Sequence, residues 1–361
     1  MAGMKNIVIA GAGKIGVTIA DLLAGSGDYT VTLADRAVRR FAGISDAQIK
    51  LAEVDVSDAR QLETLLRGSF AVLSAVPFNL TGGIAVAAKR AGTHYLDLTE
   101  DVATTRKVKE LAVDATTAFI PQCGLAPGFI TIAAYDLIRR FDTLHDVRMR
   151  VGALPQFPSN ALNYNLTWST EGLINEYCEP CEAIVNGERR EMPPLEECEE
   201  FSLDGVTYEA FNTSGGLGSL CETLNGKVRN LNYRTIRYPG HAIIMKALLN
   251  DLRLRDRRDV LKDILENAVP ATLQDVVIVF VTVSGTRNGQ LVQDTYAHKI
   301  YSKEIRGVMR SAIQLTTAAG ITGVLDLLAN GKIADRGFVR QEDIKLAAFL
   351  DNRFGKIYAP L

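Results

Sequence analysis

The first third of the chain alternates short apolar runs with segments of helical periodicity. Apolar runs typical of β-strands occur at 5–10, 29–34, 49–54, 70–76, 93–98 and 118–121. Segments with helical spacing of apolar residues lie between them, at 15–23, 59–66, 84–91 and 103–113. Strands alternating with helices indicate βα units and a parallel sheet. The pattern therefore predicts an α/β fold that begins with a Rossmann doubly wound parallel sheet over 1–125.

The pattern changes after residue 125. A helical segment to about residue 141 leads into a short strand, and the acidic stretch at 188–209, which includes Pro193 and Pro194, is interpreted as long loops. Further on, β-rich runs occur at 228–238, 276–284 and 291–301, with helical segments near 241–253 and 312–329. This mixture predicts a second, mixed α+β substrate domain over 126–330.

Composition and charge exclude several classes of protein. The 361 residues are 47% hydrophobic and 23% charged, with 40 basic and 42 acidic side chains. No positive excess is present to attract phosphate backbones or anionic lipid, so neither nucleic acid nor a membrane is expected as a partner. The N-terminus lacks the features of a secretory signal, which predicts a cytoplasmic protein. Uncharged stretches at 68–88 and 115–135 are interrupted by proline and glycine, and therefore indicate strand, loop and helix.

The five cysteines do not suggest a disulfide framework or a metal centre. They are odd in number and spread from Cys123 to Cys221. Cys178 and Cys181 form a C-x-x-C, but the other cysteines supply no second close pair, as a zinc ribbon would require. No metal is predicted.

A glycine-rich motif follows the first predicted strand directly and precedes a helical segment. Its residues are Gly11, Ala12, Gly13, Lys14, Ile15 and Gly16, which form G-x-G-x-x-G. The first glycine allows the tight turn, the second leaves room for a pyrophosphate, and the third lets helix and strand pack closely. The phosphates would lie at the helix N-terminus, where free N–H groups and the helix dipole favour negative charge.

The residues at the ends of the next strands extend this nucleotide site. Asp35, nineteen residues after Gly16, lies where a carboxylate accepts hydrogen bonds from the adenosine ribose, which favours NAD over NADP. Arg36 can turn toward a 2′-phosphate, so NADP is not excluded. Two further sets lie at carboxyl ends of strands, where ligands bind in open α/β sheets. They are Asp55 with Val56, expected beside adenine, and Ala75, Val76 and Pro77, expected under the nicotinamide.

Three later segments together resemble the saccharopine dehydrogenase family. They are the GLAPG run at 124–128, the LTWSTEGLI run at 166–174 and the TIRYPGH run at 235–241. The resemblance covers essentially the whole chain. It implies a Rossmann domain, a mixed α/β substrate and dimerisation domain, and a last segment, 331–361, that returns to the first domain. A homodimer is implied on the same basis.

Within that family, the residues at 167–177 and 238–241 are most similar to L-lysine 6-dehydrogenase, an NAD enzyme that oxidises the terminal amine of lysine. The close competitor is glutamate-forming saccharopine dehydrogenase. In such enzymes an arginine near the position of 214–216 holds a substrate carboxylate, and this sequence has none there. A carboxynorspermidine dehydrogenase-like enzyme and a non-catalytic, NAD-sensing regulatory subunit are also compatible with the sequence.

The reaction implied by the resemblance sets the candidate catalytic residues. Hydride leaves a carbon that bears nitrogen, so the amine must lose a proton and water must be deprotonated for hydrolysis. Asp97, at the end of the fifth strand, is the candidate general base, although it could instead cap a helix near Thr99. His241 titrates near neutral pH in its unperturbed state and is the candidate proton shuttle.

Candidate substrate-binding residues follow from the same reaction. Arg237 could hold the α-carboxylate through a bidentate pair, or could pair with Glu171 or another acid. Tyr164 and Asn165 could supply hydrogen bonds, and Trp168 an apolar wall or simply core packing. Cys123 precedes the 124–128 loop and is more typical of a small buried filler than of a nucleophile.

Overall fold

The computed structural model describes residues 3–37 and 48–359, which divide into two compact units. The first unit consists of Met1–Ile132 together with Thr316–Ala359, and the second of Ala133–Leu315. The C-terminal segment is therefore part of the first unit.

The first unit contains a parallel seven-stranded sheet. Its strands are β1 (Lys5–Ala10), β2 (Tyr29–Asp35), β3 (Ile49–Glu53), β4 (Ala71–Ser74), β5 (His94–Asp97), β6 (Ala118–Ile120) and β17 (Gly337–Phe338). They lie in the order β17-β6-β5-β4-β1-β2-β3. The order reverses at β1, so the carboxyl ends of β1 and β4 flank the switch point where ligands bind in such sheets. The predicted Rossmann fold is confirmed, with β17 added from the C-terminal segment.

Helices enclose this sheet because its strands are apolar on both faces. They are α1 (Lys14–Ser26), α2 (Ala59–Leu66), α3 (Phe78–Ala91), α4 (Val102–Ala112), α5 (Phe129–Ile138), α10 (Ala312–Ala329) and α11 (Leu346–Asp351). Asp58 and Asp101 cap α2 and α4 by accepting backbone N–H groups. In the part of the chain that the structure describes, α10 alone is long and apolar enough to cross a membrane, and 89% of it is buried inside the structure.

The second unit is built on a mixed sheet. Its strands are β7 (Thr143–Pro155), β8 (Cys181–Val185), β9 (Glu188–Met192), β10 (Glu199–Leu203), β11 (Val206–Asn212), β12 (Val228–Arg237), β13 (Asp275–Arg287) and β14 (Gln290–Tyr301), followed by a small hairpin of β15 (Lys303–Ile305) and β16 (Val308–Arg310). The main order is β10-β11-β12-β7-β13-β14, and β8 pairs with β12 and β9. Strands β12 and β7 are parallel, whereas the other pairs are antiparallel.

Helices of the second unit pack on one face of this sheet. They are α6 (Thr170–Cys178), α7 (Leu220–Thr223), α8 (His241–Lys246), which continues as a π-turn over Ala247–Asp251, and α9 (Arg258–Ala268). A buried cluster joins α6, α8 and α9 to Phe211 of β11. The predicted mixed α+β architecture of this part is confirmed.

The acidic region at 188–209 corrects one prediction. The sequence pattern predicts loops there, but the region forms β9, β10 and the first part of β11. The side chains of β9 are almost all exposed, so this strand lacks the apolar alternation that predicts strands. Its connection to β8, Asn186–Gly187, has both residues at positive φ (52° and 86°), as a two-residue hairpin turn requires.

Candidate functional site

The glycine-rich loop after β1 is held against the chain that follows β4. Gly11 has φ 101°, and a Cβ there would lie 2.6 Å from the carbonyl oxygen of Ala75 and 2.9 Å from Val76 Cγ1. A Cβ on Gly16 would lie 1.9 Å from the carbonyl oxygen of Gly11. The predicted roles of these two glycines are thus matched by contacts that only glycine permits.

The N-terminus of α1 is open to an anion. Gly13 is its N-cap residue, no side chain caps the helix, and its first turn contains no acidic residue. No atom lies within 4 Å of a Cβ built on Gly13. Lys14 is exposed and Ile15 is half-buried in the same turn. The free N–H groups and the space over Gly13 fit the pyrophosphate of a dinucleotide.

Asp35 lies beside this loop at the end of β2. Its Oδ2 accepts a hydrogen bond from the amide N of Ala12 at 2.9 Å, and its Oδ1 accepts from the amide N of Ala37 at 2.9 Å. The carboxylate therefore fixes the glycine-rich loop and keeps lone pairs for ribose hydroxyls.

The ends of β2 and β3 meet next to Asp35. The amide N of Val54 donates to the carbonyl oxygen of Asp35 at 3.1 Å, which places Asp55 and the buried Val56 nearby. Hydrogen bonds from Ser57, followed by the charge of Arg36, lower the pKa of Asp55. Pro77 begins α3 at the end of β4. The predicted cofactor residues are thus distributed over the carboxyl ends of β1 to β4.

Asp97 is a fully buried carboxylate at the end of β5. It accepts hydrogen bonds from Tyr95 Oη at 2.7 Å and from the amide N atoms of Thr99 and Gln122 at 3.0 and 2.9 Å. Burial raises the pKa of Asp97 to about 6. The helix that follows is capped by Asp101, so Asp97 instead ties the ends of β5 and β6 together. Its role as general base stays a prediction.

Cys123 lies next to Asp97 in the same buried region. Its amide N donates to the carbonyl oxygen of Asp97 at 2.8 Å, and its Sγ donates to that of Ile120 at 3.0 Å. Gln341 of the C-terminal segment donates to Cys123 Sγ at 3.4 Å. Burial, followed by the charge of Asp97, raises the pKa of the thiol well above its usual value. A thiol held in its neutral form is a poor nucleophile.

Arg237 is a buried cation at the end of β12, with 2% of its surface exposed. Its Nε donates to Tyr177 Oη at 3.0 Å, and its Nη1 donates to the carbonyl oxygen of Ile236 at 2.8 Å. The guanidinium also lies 5.1 Å from the centre of the Tyr164 ring. Among the described residues we find no carboxylate within 4.0 Å of it, and Glu171 pairs instead with Lys262 at 3.6 Å. Against the effect of burial, interactions with Tyr177, Tyr164 and the buried Glu176 raise the pKa of Arg237, so one carboxylate acts on the guanidinium from beyond salt-bridge distance.

His241 completes a chain of hydrogen bonds with Arg237 and Tyr177. Its Nε2 lies 3.1 Å from Tyr177 Oη, and its Nδ1 lies 2.8 Å from the carbonyl oxygen of Leu162. A carbonyl can only accept, so Nδ1 carries the proton and Nε2 accepts from Tyr177. Burial, followed by the charge of Arg237, lowers the pKa of His241 to about 3. The expectation that this histidine titrates near neutral pH is corrected, because it is neutral there.

Residues at 164–168 lie near Arg237 and include an unused polar atom. Tyr164 is 2% exposed, and Asn165 and Thr167 are 6% and 7% exposed. Asn165 Oδ1 is buried without a hydrogen-bond partner. Trp168 packs on α6, where a Cβ on Gly172 would lie 2.5 Å from its ring. The structure thus gives Trp168 a packing contact and leaves Asn165 Oδ1 as an open acceptor, whereas the hydroxyl of Thr167 interacts with Tyr164.

Two site residues were not predicted from the sequence. Tyr177 links Arg237 to His241, and Glu209 fixes the start of α8 by accepting from the amide N atoms of Gly240 and Ala242 at 2.9 and 2.6 Å. A glutamate within an apolar strand, as in the run TYEAF, was the available signal for Glu209. Tyr177 has no local signal, because its partners lie at least 60 residues away.

The described residues contain no group of three or more His, Cys, Asp or Glu side chains able to hold a metal ion. Cys178 and Cys181 are both buried free thiols. The candidate groups described above are a dinucleotide-binding loop in the first unit and, separately, a buried guanidinium in the second.

Comparisons with known proteins match both units. Residues 7–120 match the family model for the saccharopine dehydrogenase NADP binding domain, and residues 124–352 match that for the saccharopine dehydrogenase C-terminal domain. The prediction that the first unit binds a nicotinamide dinucleotide is confirmed.

The individual relatives have low sequence identity to this chain and match only part of it. The chain is 24% identical over 180 residues to saccharopine dehydrogenase [NADP(+), L-glutamate-forming] of Saccharomyces cerevisiae, covering 47% of this chain and 40% of that protein. It is 21% identical over 196 residues to the mitochondrial alpha-aminoadipic semialdehyde synthase of Rattus norvegicus, covering 52% of this chain and 21% of that protein. The chain thus spans less than half the length of these relatives. The solved apo saccharopine dehydrogenase (L-Glu forming) of Saccharomyces cerevisiae has a TM-score of 0.78 at 16% identity, covering 96% of this chain and 95% of that one.

Proposed function

Because the chain belongs to the saccharopine dehydrogenase family, we propose that it is a nicotinamide-dependent dehydrogenase that oxidises a carbon–nitrogen bond in lysine metabolism, with the terminal amine of L-lysine as its substrate. The observation that carries this proposal is the buried Arg237, which forms no salt bridge within 4.0 Å among the described residues, the buried carboxylate of Glu176 acting on it only at longer range.

The first unit holds the cofactor in this proposal. The free N–H groups at the start of α1 bind the pyrophosphate, and Asp35 binds the adenosine ribose. When bound, the nicotinamide supplies the acceptor for hydride. The carboxylate of Asp35 disfavours a 2′-phosphate, which supports NAD as the preferred form.

Arg237 holds the substrate's α-carboxylate. A buried guanidinium is costly unless it is paired, and here its hydrogen bonds go only to Tyr177 and a backbone carbonyl. A carboxylate would complete the pair, while the buried Asn165 Oδ1 can only accept and is open to the α-ammonium group of the substrate. Tyr164 adds an aromatic wall under the guanidinium.

The number of available cations favours lysine over saccharopine. Arg150 and Arg234, two other largely buried arginines of the second unit, already pair with Glu199 at 2.7 and 3.0 Å. Of the buried arginines described in the second unit, Arg237 is the one without a salt bridge, and this single cation matches the single carboxylate of lysine, whereas saccharopine carries three. Glutamate-forming saccharopine dehydrogenase is the second candidate, and the activity named for the yeast relative supports it.

The protonation states of His241 and Asp97 near pH 7 decide which role in proton transfer each is given in this proposal. His241 is neutral near pH 7 and orients Tyr177, so in this proposal it positions Arg237. Asp97, with a pKa of about 6, is ionised near neutral pH and holds the backbone of Gln122 in place. The prediction that Asp97 is the general base that deprotonates the substrate ammonium is tested by the pH dependence of kcat/KM.

A spectrophotometric screen at 340 nm tests the function. NAD and NADP are each mixed with the protein and with L-lysine, saccharopine or a polyamine carboxylate, and NADH or NADPH formation is recorded. The expected result is reduction of NAD with lysine. Turnover of saccharopine alone would establish the second candidate, and cofactor binding without any turnover would indicate a regulatory subunit.

A further inference from the structure

The second unit contains a cavity that the proposed function does not use. It has a volume of about 310 Å³ and is lined by β7, β8, β11 and β12. All of 230–234 in β12 line the cavity, with Met192 of β9 and Glu199 of β10, and alternation places the side chains of Asn230, Asn232 and Arg234 on one face of the sheet. Neither Arg237 nor its contacts Tyr177 and Tyr164 line the cavity. Arg237 is an odd number of residues away and points to the other face. The cavity is therefore separate from the proposed substrate site.

Three polar atoms at this cavity are buried without a hydrogen-bond partner. They are Asn212 Nδ2, Asn232 Oδ1 and Arg234 Nε. Asn212 is 3% exposed and is the register partner of Arg234 on the neighbouring strand. Buried polar groups are nearly always satisfied, so three open positions at one cavity indicate a ligand.

The charged side chains of the cavity define what that ligand must carry. Glu199 pairs with Arg150 and Arg234, Glu197 pairs with Arg234, and Asp146 accepts from Asn230 Nδ2 at 2.6 Å. The fourth carboxylate of the lining, Glu182, pairs with Arg189 at 3.0 Å, so all four carboxylates are engaged. Arg148 also lines the cavity, and within the described part of the chain we find no carboxylate within 4.0 Å of its guanidinium. The open positions are thus mainly donors.

We propose that this cavity binds a small carboxylate with an adjacent N–H or O–H donor, the class to which α-amino acids belong. Arg148, Arg234 Nε and Asn212 Nδ2 donate to the carboxylate, and Asn232 Oδ1 accepts from the ligand's own donor. The site requires both features, because a bare carboxylate would leave Asn232 without a partner. This proposal does not depend on the dehydrogenase activity, because the cavity and Arg237 lie on opposite faces of the sheet.

Isothermal titration calorimetry of the full chain tests the site, with L-glutamate as the probe and glutarate, which lacks the amine, as its matched analogue. The wild type is expected to bind L-glutamate more tightly than glutarate. Arg148→Gln removes an exposed guanidinium, so the fold is expected to persist, and binding should weaken about tenfold or more. Asn232→Leu should remove the preference for L-glutamate over glutarate.

The matched control is Arg190→Gln, which removes an exposed arginine of β9 that does not line the cavity. It is expected to bind like the wild type. Two results would overturn the proposal: no binding of L-glutamate to the wild type, or equal binding by the wild type and Arg148→Gln. The second result would place L-glutamate elsewhere, for example at Arg237.

Discussion

Buried charges in this protein differ in whether an opposite charge meets them. Asp326 accepts from Tyr29, Arg353 and Asn352 at 2.6–2.7 Å, and its carboxylate is therefore compensated by a cation. Asp97 receives only neutral donors, and Arg237 has only neutral acceptors. Asp326 thus has a cation in direct contact, whereas Asp97 has none among its hydrogen-bond partners and Arg237 meets the carboxylate of Glu176 only beyond salt-bridge distance.

Asp97 is expected to make the stability of the protein fall as pH rises. Its pKa is raised in the folded protein from 3.8 to about 6, so the folded state retains a proton that the unfolded state has lost. Stabilisation is full below pH 3.8 and is lost as pH rises through about 6. Relative to Asp97→Asn, the wild type should lose roughly 3 kcal/mol of unfolding free energy between pH 4 and pH 8. Urea titrations of both proteins measure this difference.

A parallel measurement addresses catalysis by Asp97. If it is the general base, kcat/KM should fall below an apparent pKa near 6, and Asp97→Asn should abolish that limb. An unchanged acid limb in the variant would restrict Asp97 to holding β5 and β6 together.

Tyr177→Phe is expected to weaken substrate binding more than the chemical step. The substitution deletes the acceptor for Arg237 Nε and the donor to His241 Nε2 while keeping the ring. Loss of a hydrogen bond to a charged group costs about 1.5–3 kcal/mol, which corresponds to a rise in KM of roughly tenfold to a hundredfold. Steady-state kinetics with varied L-lysine measure KM and kcat separately. Tyr301→Phe, at an exposed tyrosine, is the control, and a fall in kcat at constant KM would contradict this role.

Asp35→Ala should weaken the binding of NAD more than the binding of NADP, because only in NAD does the adenosine ribose offer both of its hydroxyls to this carboxylate. The variant also frees the amide N of Ala12, so some affinity for both cofactors should be lost. Asp35→Asn keeps one acceptor oxygen, so its preference for NAD over NADP should lie between that of the wild type and that of Asp35→Ala. Dissociation constants from fluorescence titration provide the comparison, and an unchanged ratio would remove the argument for NAD.

At the scale of elements, alanine substitutions at two glycines of the same motif should affect different properties: the stability of the protein in one case and its affinity for NAD in the other. In Gly16→Ala the new Cβ meets backbone 1.9 Å away, so α1 must move from β1 and the protein should lose several kcal/mol of stability. In Gly13→Ala the Cβ meets nothing within 4 Å and φ is −70°, so stability should change little. The methyl instead occupies the space for the pyrophosphate, and NAD affinity should fall. Thermal unfolding and NAD titration of both variants test this, and a marked loss of stability in Gly13→Ala would contradict it.

The elements that the sequence predicts well are those with the strongest apolar contrast. Strand β4 and most of β1 are buried on both faces and form apolar runs, β2 alternates buried and half-buried residues, and the predicted bounds of α2, 59–66, are those observed. Strands β9 and β10 are largely exposed at the edges of the second sheet and rich in charge, which resembles loop composition.

The residue types at the turns predict hairpins that the pattern of apolar residues does not. Asp204–Gly205 joins β10 to β11, and both residues have positive φ, at 53° and 76°. Asp-Gly and Asn-Gly pairs strongly favour two-residue hairpins, so these strands could have been predicted from their turns. The hydrogen-bonded chain through Tyr177 could not, because it depends on tertiary contacts between α6, β12 and α8.

At the scale of the whole molecule, the C-terminal segment contributes to a unit formed mainly by the opposite end of the chain. Strand β17 pairs with β6, the Tyr358 ring stacks on that of Phe129 with centroids 3.8 Å apart, and Arg353 pairs with Asp326 at 2.6 Å. Phe349 is fully buried. The first unit therefore cannot complete its core until residues 337–358 have been synthesised.

A chain ending at Lys332 tests this dependence. Burial of Phe349 and Tyr358 contributes about 1.5–3 kcal/mol each, and their loss also uncovers Phe129 and the edge of β6. We expect faster hydrogen–deuterium exchange in β6 and α5, measured by mass spectrometry of the truncated and full-length chains. Amides of β13, in the second unit, are the internal control and should keep their protection because their partners in β7 and β14 are intact. Equal exchange of β6 in the two chains would mean that the segment adds no stability to the first unit.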